Sequence, residues 1–203
     1  MRLINPRLAV LALALLGLAA CSKGGGQVTS DDMSLGNDKA PVTVIEYASA
    51  SCSHCAAFNN DVFPAFKAKY IDTGKIHYVF REFLTAPESF AAAGFLTARC
   101  AGRDKYFGVL DAIYHGQRAM FETQDFHGGL LRIAQSAGLS EDKFNTCIND
   151  AKSLQSLNDR VQTYVTRDKI TGTPTFVING KTLDGEQSLD SLSKAIDAAK
   201  AAK

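Results

Sequence analysis

The sequence predicts an α/β fold in which a strand–helix–strand unit is followed by a block of helices and closed by a hairpin and a last helix. Three observations predict it. Val42-Thr43-Val44-Ile45-Glu46-Tyr47-Ala48 is β-branched and nearly continuous in apolar character, as expected of a central strand covered on both faces, and helical periodicity follows it. Residues 87–169 carry no strand pattern; Gly102, Gly116, Gly128-Gly129 and Gly138 punctuate short helical stretches instead. Strand character returns at Pro174-Thr175-Phe176-Val177-Ile178, where Asn179-Gly180 is a two-residue hairpin signal leading to Lys181-Thr182-Leu183.

The 203 residues suit one elaborated domain or two small ones. A net charge of +1, with no concentrated basic or acidic run, gives no reason to expect a nucleic-acid partner. The chain opens with Arg2 and Arg7, then an apolar run from Leu8 to Ala20 too short for a comfortable membrane span. That run ends in Leu18-Ala19-Ala20-Cys21, which resembles the lipobox of bacterial lipoprotein signal peptides. The resemblance implies that residues 1–20 are a signal peptide and that Cys21 is lipidated. The chain would then face the periplasm from a membrane of the cell envelope. Ser22 lacks the acidic character that signals inner-membrane retention in enterobacteria, which favours the outer membrane. Ordinary signal cleavage without lipid is the alternative. Residues 21–39 hold Gly24-Gly25-Gly26 and little to bury, and read as a flexible tether.

The folded part is expected from residue 40 to 203, with the helical insertion at about 87–169. After the first strand, Ala56, Phe58, Val62, Phe63, Phe66 and Tyr70 fall largely on one helical face, and Pro64 should kink or split that helix near Phe63. A second strand is expected over Lys75–Phe83, with His77 as a packed or surface residue. Helices are expected over Ser89–Ala101, Asp104–Tyr114, Asp125–Ala137, Glu141–Asn149 and Leu154–Asp168, with Ser140 as an N-cap. Ser188–Lys203 forms the last one.

Chemistry concentrates at Ser51-Cys52-Ser53-His54-Cys55, between the first strand and its helix. A helix N-terminus presents free N–H groups and a partial positive charge, so it favours a thiolate at Cys52. His54 could donate to that sulfur or sit near it as imidazolium. Thiols so placed have pKa values of roughly 3.5 to 7.5. A pKa near 4 would stabilise the reduced form at pH 7 by roughly 4 kcal/mol, which is roughly 90 mV of potential. Such a pair is an oxidant of other thiols. Glu46 is either turned to solvent or buried beside the chemistry, where its pKa would rise and it could exchange a proton with Cys55. A zinc site using Cys52 and Cys55 would need two more ligands, which Cys100 and Cys147 could supply, though they are isolated in sequence. In an oxidising compartment those two are expected to form a structural disulfide, with two free buried thiols as the alternative.

Ala40-Pro41-Val42-Thr43-Val44-Ile45-Glu46-Tyr47, Cys52-Ser53-His54-Cys55 and Gly172-Thr173-Pro174-Thr175-Phe176-Val177-Ile178-Asn179-Gly180, in this order, resemble the DsbA-like family of thiol:disulfide oxidoreductases. The resemblance implies a thioredoxin fold with an inserted all-helical subdomain. It implies Cys52 as exposed nucleophile, Cys55 as buried resolving thiol, Glu46 as buried acid, and Pro174 as a cis-proline that brings the Thr173 backbone beside Cys52. It also implies exported cysteine-containing substrates, a DsbB-like membrane quinone reductase for reoxidation, and no bound cofactor. Ser53 stands where the best-known members carry proline, and Thr173 where some oxidases have valine; both positions tune potential and partner choice. The lysine that partners the buried acid in some relatives has no clear counterpart. A reductase or isomerase kept reduced by a membrane donor is the alternative within the family. A copper- or zinc-binding module using Cys52, Cys55 and His54 is the alternative outside it.

Overall fold

The computed structural model describes residues 27–202. The signal segment 1–20 and Cys21 lie outside the described residues. Five strands form one mixed sheet: β1 (Met33–Gly36), β2 (Val42–Ala48), β3 (Ile76–Glu82), β4 (Thr175–Ile178) and β5 (Lys181–Asp184), in the order β1-β3-β2-β4-β5. β2 runs parallel to β3, with Glu46 opposite Phe80, and antiparallel to β4, with Glu46 opposite Phe176. β1 is antiparallel to β3, and β5 to β4. Asn179 and Gly180 turn the hairpin with φ of 45° and 93°. Positive φ at both central residues suits the right-handed twist of the flanking strands.

A helical stretch, α1, spans 53–71. Its turns widen at Phe58–Val62 and again at Lys67–Ile71, on either side of Phe63–Phe66, which begins beside Pro64. Proline lacks the N–H of a regular turn, and the widened turn before it absorbs the interruption expected there. Between β3 and β4 come α2 (Glu88–Cys100), α3 (Tyr106–Thr123), α4 (Phe126–Ser136), α5 (Glu141–Ile148) and α6 (Ala151–Thr166); α7 (Leu189–Ala201) closes the chain. α3 runs well beyond the expected end at Tyr114. Gly116 does not stop it, because that position packs toward Ile133 of α4, and tertiary contact outweighs glycine's poor helix propensity. α6 begins earlier than expected because Asp150 caps it by accepting from the Ser153 N–H. Ser140 caps α5 in the same way, toward Lys143.

Alternation along β2 and β3 divides the core into two layers. Val42, Val44, Ala48, Tyr78 and Phe80 face α1, α7 and the helical block. Ile45, Tyr47 and Val79 face Tyr164 and Ile170 on the other side. The second layer corrects the expected tether. Residues 33–36 are an edge strand, and Asp32 is 3% exposed. Arg81 donates from Nε and Nη2 to the two carboxylate oxygens of Asp32 at 3.0 and 3.1 Å, and from Nη1 to Asp168 at 3.1 Å. Arg103 and Arg99 donate to backbone carbonyls of Ser30, Asp31 and Asp32. A polar run with few apolar residues is thus held by buried charge pairing, which hydropathy does not register.

Cys100 at the end of α2 and Cys147 in α5 are disulfide-bonded, with Cα atoms 6.3 Å apart. The bond ties the helical block together. His77 is buried in β3, the packed one of the two expected alternatives.

Candidate functional site

A turn closed by the Cys52 N–H on the Ser49 carbonyl leads from β2 into α1, and Cys52 takes the N-cap position with extended backbone (φ −81°, ψ 120°). Cys55 lies one helical turn on. The two sulfurs differ sharply: Cys52 is half-buried, Cys55 fully buried, and both are free thiols. The Cys52 sulfur lies 3.4 Å from the Thr173 carbonyl oxygen, to which the thiol donates. The Thr173–Pro174 peptide is cis.

The pKa of Cys52 is lowered from the ordinary 9.0 to about 5. The largest cause is the Cys55 thiol, which donates to the Cys52 sulfur; partial burial opposes it. The backbone N–H groups of Cys55 and His54 add further stabilisation. Burial pushes the Cys55 thiol far above its ordinary range, and the Cys52 sulfur, by hydrogen bond and charge, pushes it further. With Cys52 near 5, about two units below pH 7, the reduced form gains roughly 2.7 kcal/mol. That is roughly 60 mV, an upper value because solvent screens a half-exposed sulfur. It is less than the 90 mV the sequence suggested.

His54 accounts for part of the difference. Its side chain is 72% exposed and its Nδ1 lies 3.2 Å from Glu186 Oε2. The residue acts on Cys52 through its backbone N–H, and the expected imidazole–sulfur contact gives way to the Glu186 pair. Glu46 takes the buried alternative. It is 3% exposed and accepts a hydrogen bond from the Tyr78 hydroxyl. Burial raises its pKa from 4.5 to about 8; the Tyr78 bond opposes this, and the Cys52 charge adds to it. Glu46 is therefore a neutral acid at pH 7, held by a tyrosine hydroxyl.

The helical block completes the site. Gln117 of α3, 5% exposed, donates from Nε2 to the carbonyls of Ala50 and Cys52 at 2.7 and 3.2 Å. Gly94 of α2 lets that helix approach the same loop; a Cβ there would lie 3.2 Å from Ala50 Cβ. Ser51 Oγ donates to the Thr85 carbonyl at 2.7 Å. Gln117, Tyr78 and Glu186 are 62, 23 and 131 positions from Cys55, and nothing in the local sequence marks them. Among the described residues no group of three or more His, Cys, Asp or Glu could hold a metal ion, and no helix is long and apolar enough to cross a membrane.

A four-strand core with a fifth edge strand, flanked by helices, carrying a Cys-x-x-Cys at a helix N-terminus opposite a cis X-Pro peptide, defines a thioredoxin-fold dithiol protein. The family model described as Thioredoxin matches residues 28–198. The chain belongs to the thioredoxin family, as a DsbA-like member. It is similar to the crystal structure of Wolbachia pipientis alpha-DsbA1, with a TM-score of 0.79 and 31% identity over 86% of this chain and 94% of that one. BdbD from Bacillus subtilis, at 22% identity and a TM-score of 0.63, covering 83% of this chain and 92% of that one, shares the fold. A Rickettsia typhi chain carrying the name protein-disulfide oxidoreductase is 36% identical over 85% of this chain. This chain spans 63% of that relative's length.

Proposed function

We propose that the protein is a thiol:disulfide oxidoreductase that oxidises cysteine pairs in extracytoplasmic proteins through a Cys52–Cys55 disulfide. The observation that carries this reading is the asymmetry of the two sulfurs: Cys52 accessible with a pKa of about 5, Cys55 enclosed and held as a thiol. In the oxidised enzyme a substrate thiolate attacks Cys52. The Cys52–Cys55 bond breaks, and its electron pair goes to the Cys55 sulfur, which takes a proton from the neutral Glu46 carboxyl. The second substrate thiol, after losing its proton to solvent, attacks the substrate sulfur of the mixed disulfide and expels Cys52 as a thiolate. Two electrons pass to the enzyme, and the substrate leaves with a disulfide. The low pKa of Cys52 makes it the better leaving group in that last step.

Thr173 offers its backbone beside Cys52, where an extended substrate segment could pair as an added strand. Lipidation at Cys21 would hold the enzyme at a membrane of the bacterial cell envelope, facing the periplasm. Reoxidation falls to a DsbB-like quinone reductase. The relatives' names support the thiol:disulfide chemistry, and the lipobox resemblance supports the anchor.

The test is the equilibrium potential of Cys52–Cys55 against glutathione, with turnover of a dithiol peptide. A potential toward about −120 mV with peptide oxidation supports an oxidant. A potential near −270 mV, thioredoxin's own, would overturn the oxidising direction in favour of a reductase.

A further inference from the structure

We propose that Glu186 is a specificity-determining residue of the substrate cleft, favouring cysteines that are flanked by arginine or lysine. The proposal rests on the oxidoreductase reading and names the class of substrate segment that the site takes best. Glu186 lies in the loop after β5, and its Oε2 is 3.2 Å from His54 Nδ1. Among the described residues that ring is the carboxylate's one polar partner. The His54 and Glu186 side chains are 72% and 43% exposed, so both are open to solvent and to a ligand. A pair this open contributes little to stability, and the fold does not depend on it.

The pair joins the two lips of the cleft. One lip is the turn that carries Cys52 and leads into α1, where His54 is the second helical residue. The other is the cis Thr173–Pro174 peptide with the chain that runs beside it. Thr175 stands opposite Asp184 in the β4–β5 ladder, and just beyond it the Gly185 N–H donates to the Pro174 carbonyl at 2.9 Å. That bond pins the residue before Glu186 to the cis-proline. Across the cleft, the Cys52 sulfur lies 3.4 Å from the Thr173 carbonyl oxygen. A substrate segment that pairs with the Thr173 backbone and presents its sulfur to Cys52 therefore runs beside the Glu186 carboxylate.

Charge then decides what the segment should carry. In the oxidised enzyme the Cys52–Cys55 bond has none. Residues 184–188 hold two acids, Asp184 and Glu186, and no base. On the α3 side the charged groups are matched, Arg118 with Glu122 and His115 with Asp111. An arginine presents two parallel N–H bonds to a carboxylate, whereas the His54 ring offers one nitrogen, so a substrate arginine displaces the ring from Glu186. Lysine brings the charge without the fork. A substrate glutamate at the same place meets like charge and is disfavoured.

The experiment measures second-order rates at which the oxidised full-length protein oxidises three dithiol peptides at pH 7 and low salt. The peptides differ only in the residues flanking the reactive cysteine, which are arginine, glutamine or glutamate. Wild type should oxidise the arginine peptide about threefold faster than the glutamine peptide, the size of one exposed ion pair, and the glutamate peptide about threefold more slowly. Salt at about 1 M, which screens charges beyond roughly 3 Å, should level the three rates. Glu186→Gln should lose most of the ranking. Glu186→Lys should reverse it, which separates Glu186 from Asp184 and from the paired charges of α3. Equal rates for the three peptides in wild type at low salt would overturn the proposal, a result that needs no variant to fold. So would a ranking that persists in Glu186→Gln or in high salt. A wild type that oxidises none of the peptides would instead sink the oxidoreductase reading itself.

Discussion

In the reduced protein, Cys52 and Glu46 pull stability in opposite directions as pH changes, and removing either one exposes the other. Cys52 has a folded pKa of about 5 against an ordinary 9.0. Between those values the unfolded chain binds more protons, so stability rises with pH and is lost as pH falls through 5. Glu46 has a folded pKa of about 8 against 4.5. There the folded chain binds more protons, so this contribution is fully present below 4.5 and is lost as pH rises through 8. Each slope is about 1.4 kcal/mol per pH unit, and from pH 5 to 8 each accumulates to roughly 4 kcal/mol of opposite sign. Screening at the half-exposed Cys52 trims its share. Cys55, raised far above the ordinary value, does not titrate in this window in either state. Urea unfolding of reduced wild type from pH 5 to 8 should show little change from this pair. Reduced Glu46→Gln should gain stability with pH relative to wild type, and reduced Cys52→Ala should lose it. The oxidised wild type, whose Cys52 carries no proton, should also lose stability as pH rises. A constant difference between Glu46→Gln and wild type across the window would refute the reasoning.

Four further outcomes follow from the contacts. Gln117→Leu leaves the Ala50 and Cys52 carbonyls unpaired in a buried loop and should cost about 2–3 kcal/mol in urea unfolding, with a raised Cys52 pKa. Thr173→Val removes a buried hydroxyl that has no hydrogen-bond partner and should leave stability in urea unfolding equal or higher. The double variant Cys100→Ala, Cys147→Ala opens a loop with a sequence separation of 47 and should lose about 4 kcal/mol while keeping peptide oxidation. Asp32→Asn breaks a carboxylate paired with Arg81, both within 2% exposure, and should cost about 3–5 kcal/mol; a change under about 0.5 kcal/mol, typical of a surface site, would restore the tether reading of that segment.

Much of this was legible because the informative features are local. The unbroken apolar run of β2, the Asn179-Gly180 turn and the Cys-x-x-Cys at a strand-to-helix junction each declare their geometry within a few residues. Glu46 was legible as a choice between two fates, and burial decided it. What the sequence hid is non-local. β1 is a short edge strand in a polar segment, and its anchor, Asp32 on Arg81, joins residues 49 apart. Gln117, Tyr78 and Glu186 reach the site only through packing of α3, β3 and the loop after β5. The side-chain contact of His54 is hidden for the same reason: its partner, Glu186, lies 132 residues away.

The account stands on Cys52 being an anion at neutral pH. Thiolate absorbance of the reduced protein, followed against pH and compared with Cys52→Ala to isolate that sulfur, measures this directly. The midpoint should fall at about 5. A midpoint close to the ordinary 9.0 would contradict the account.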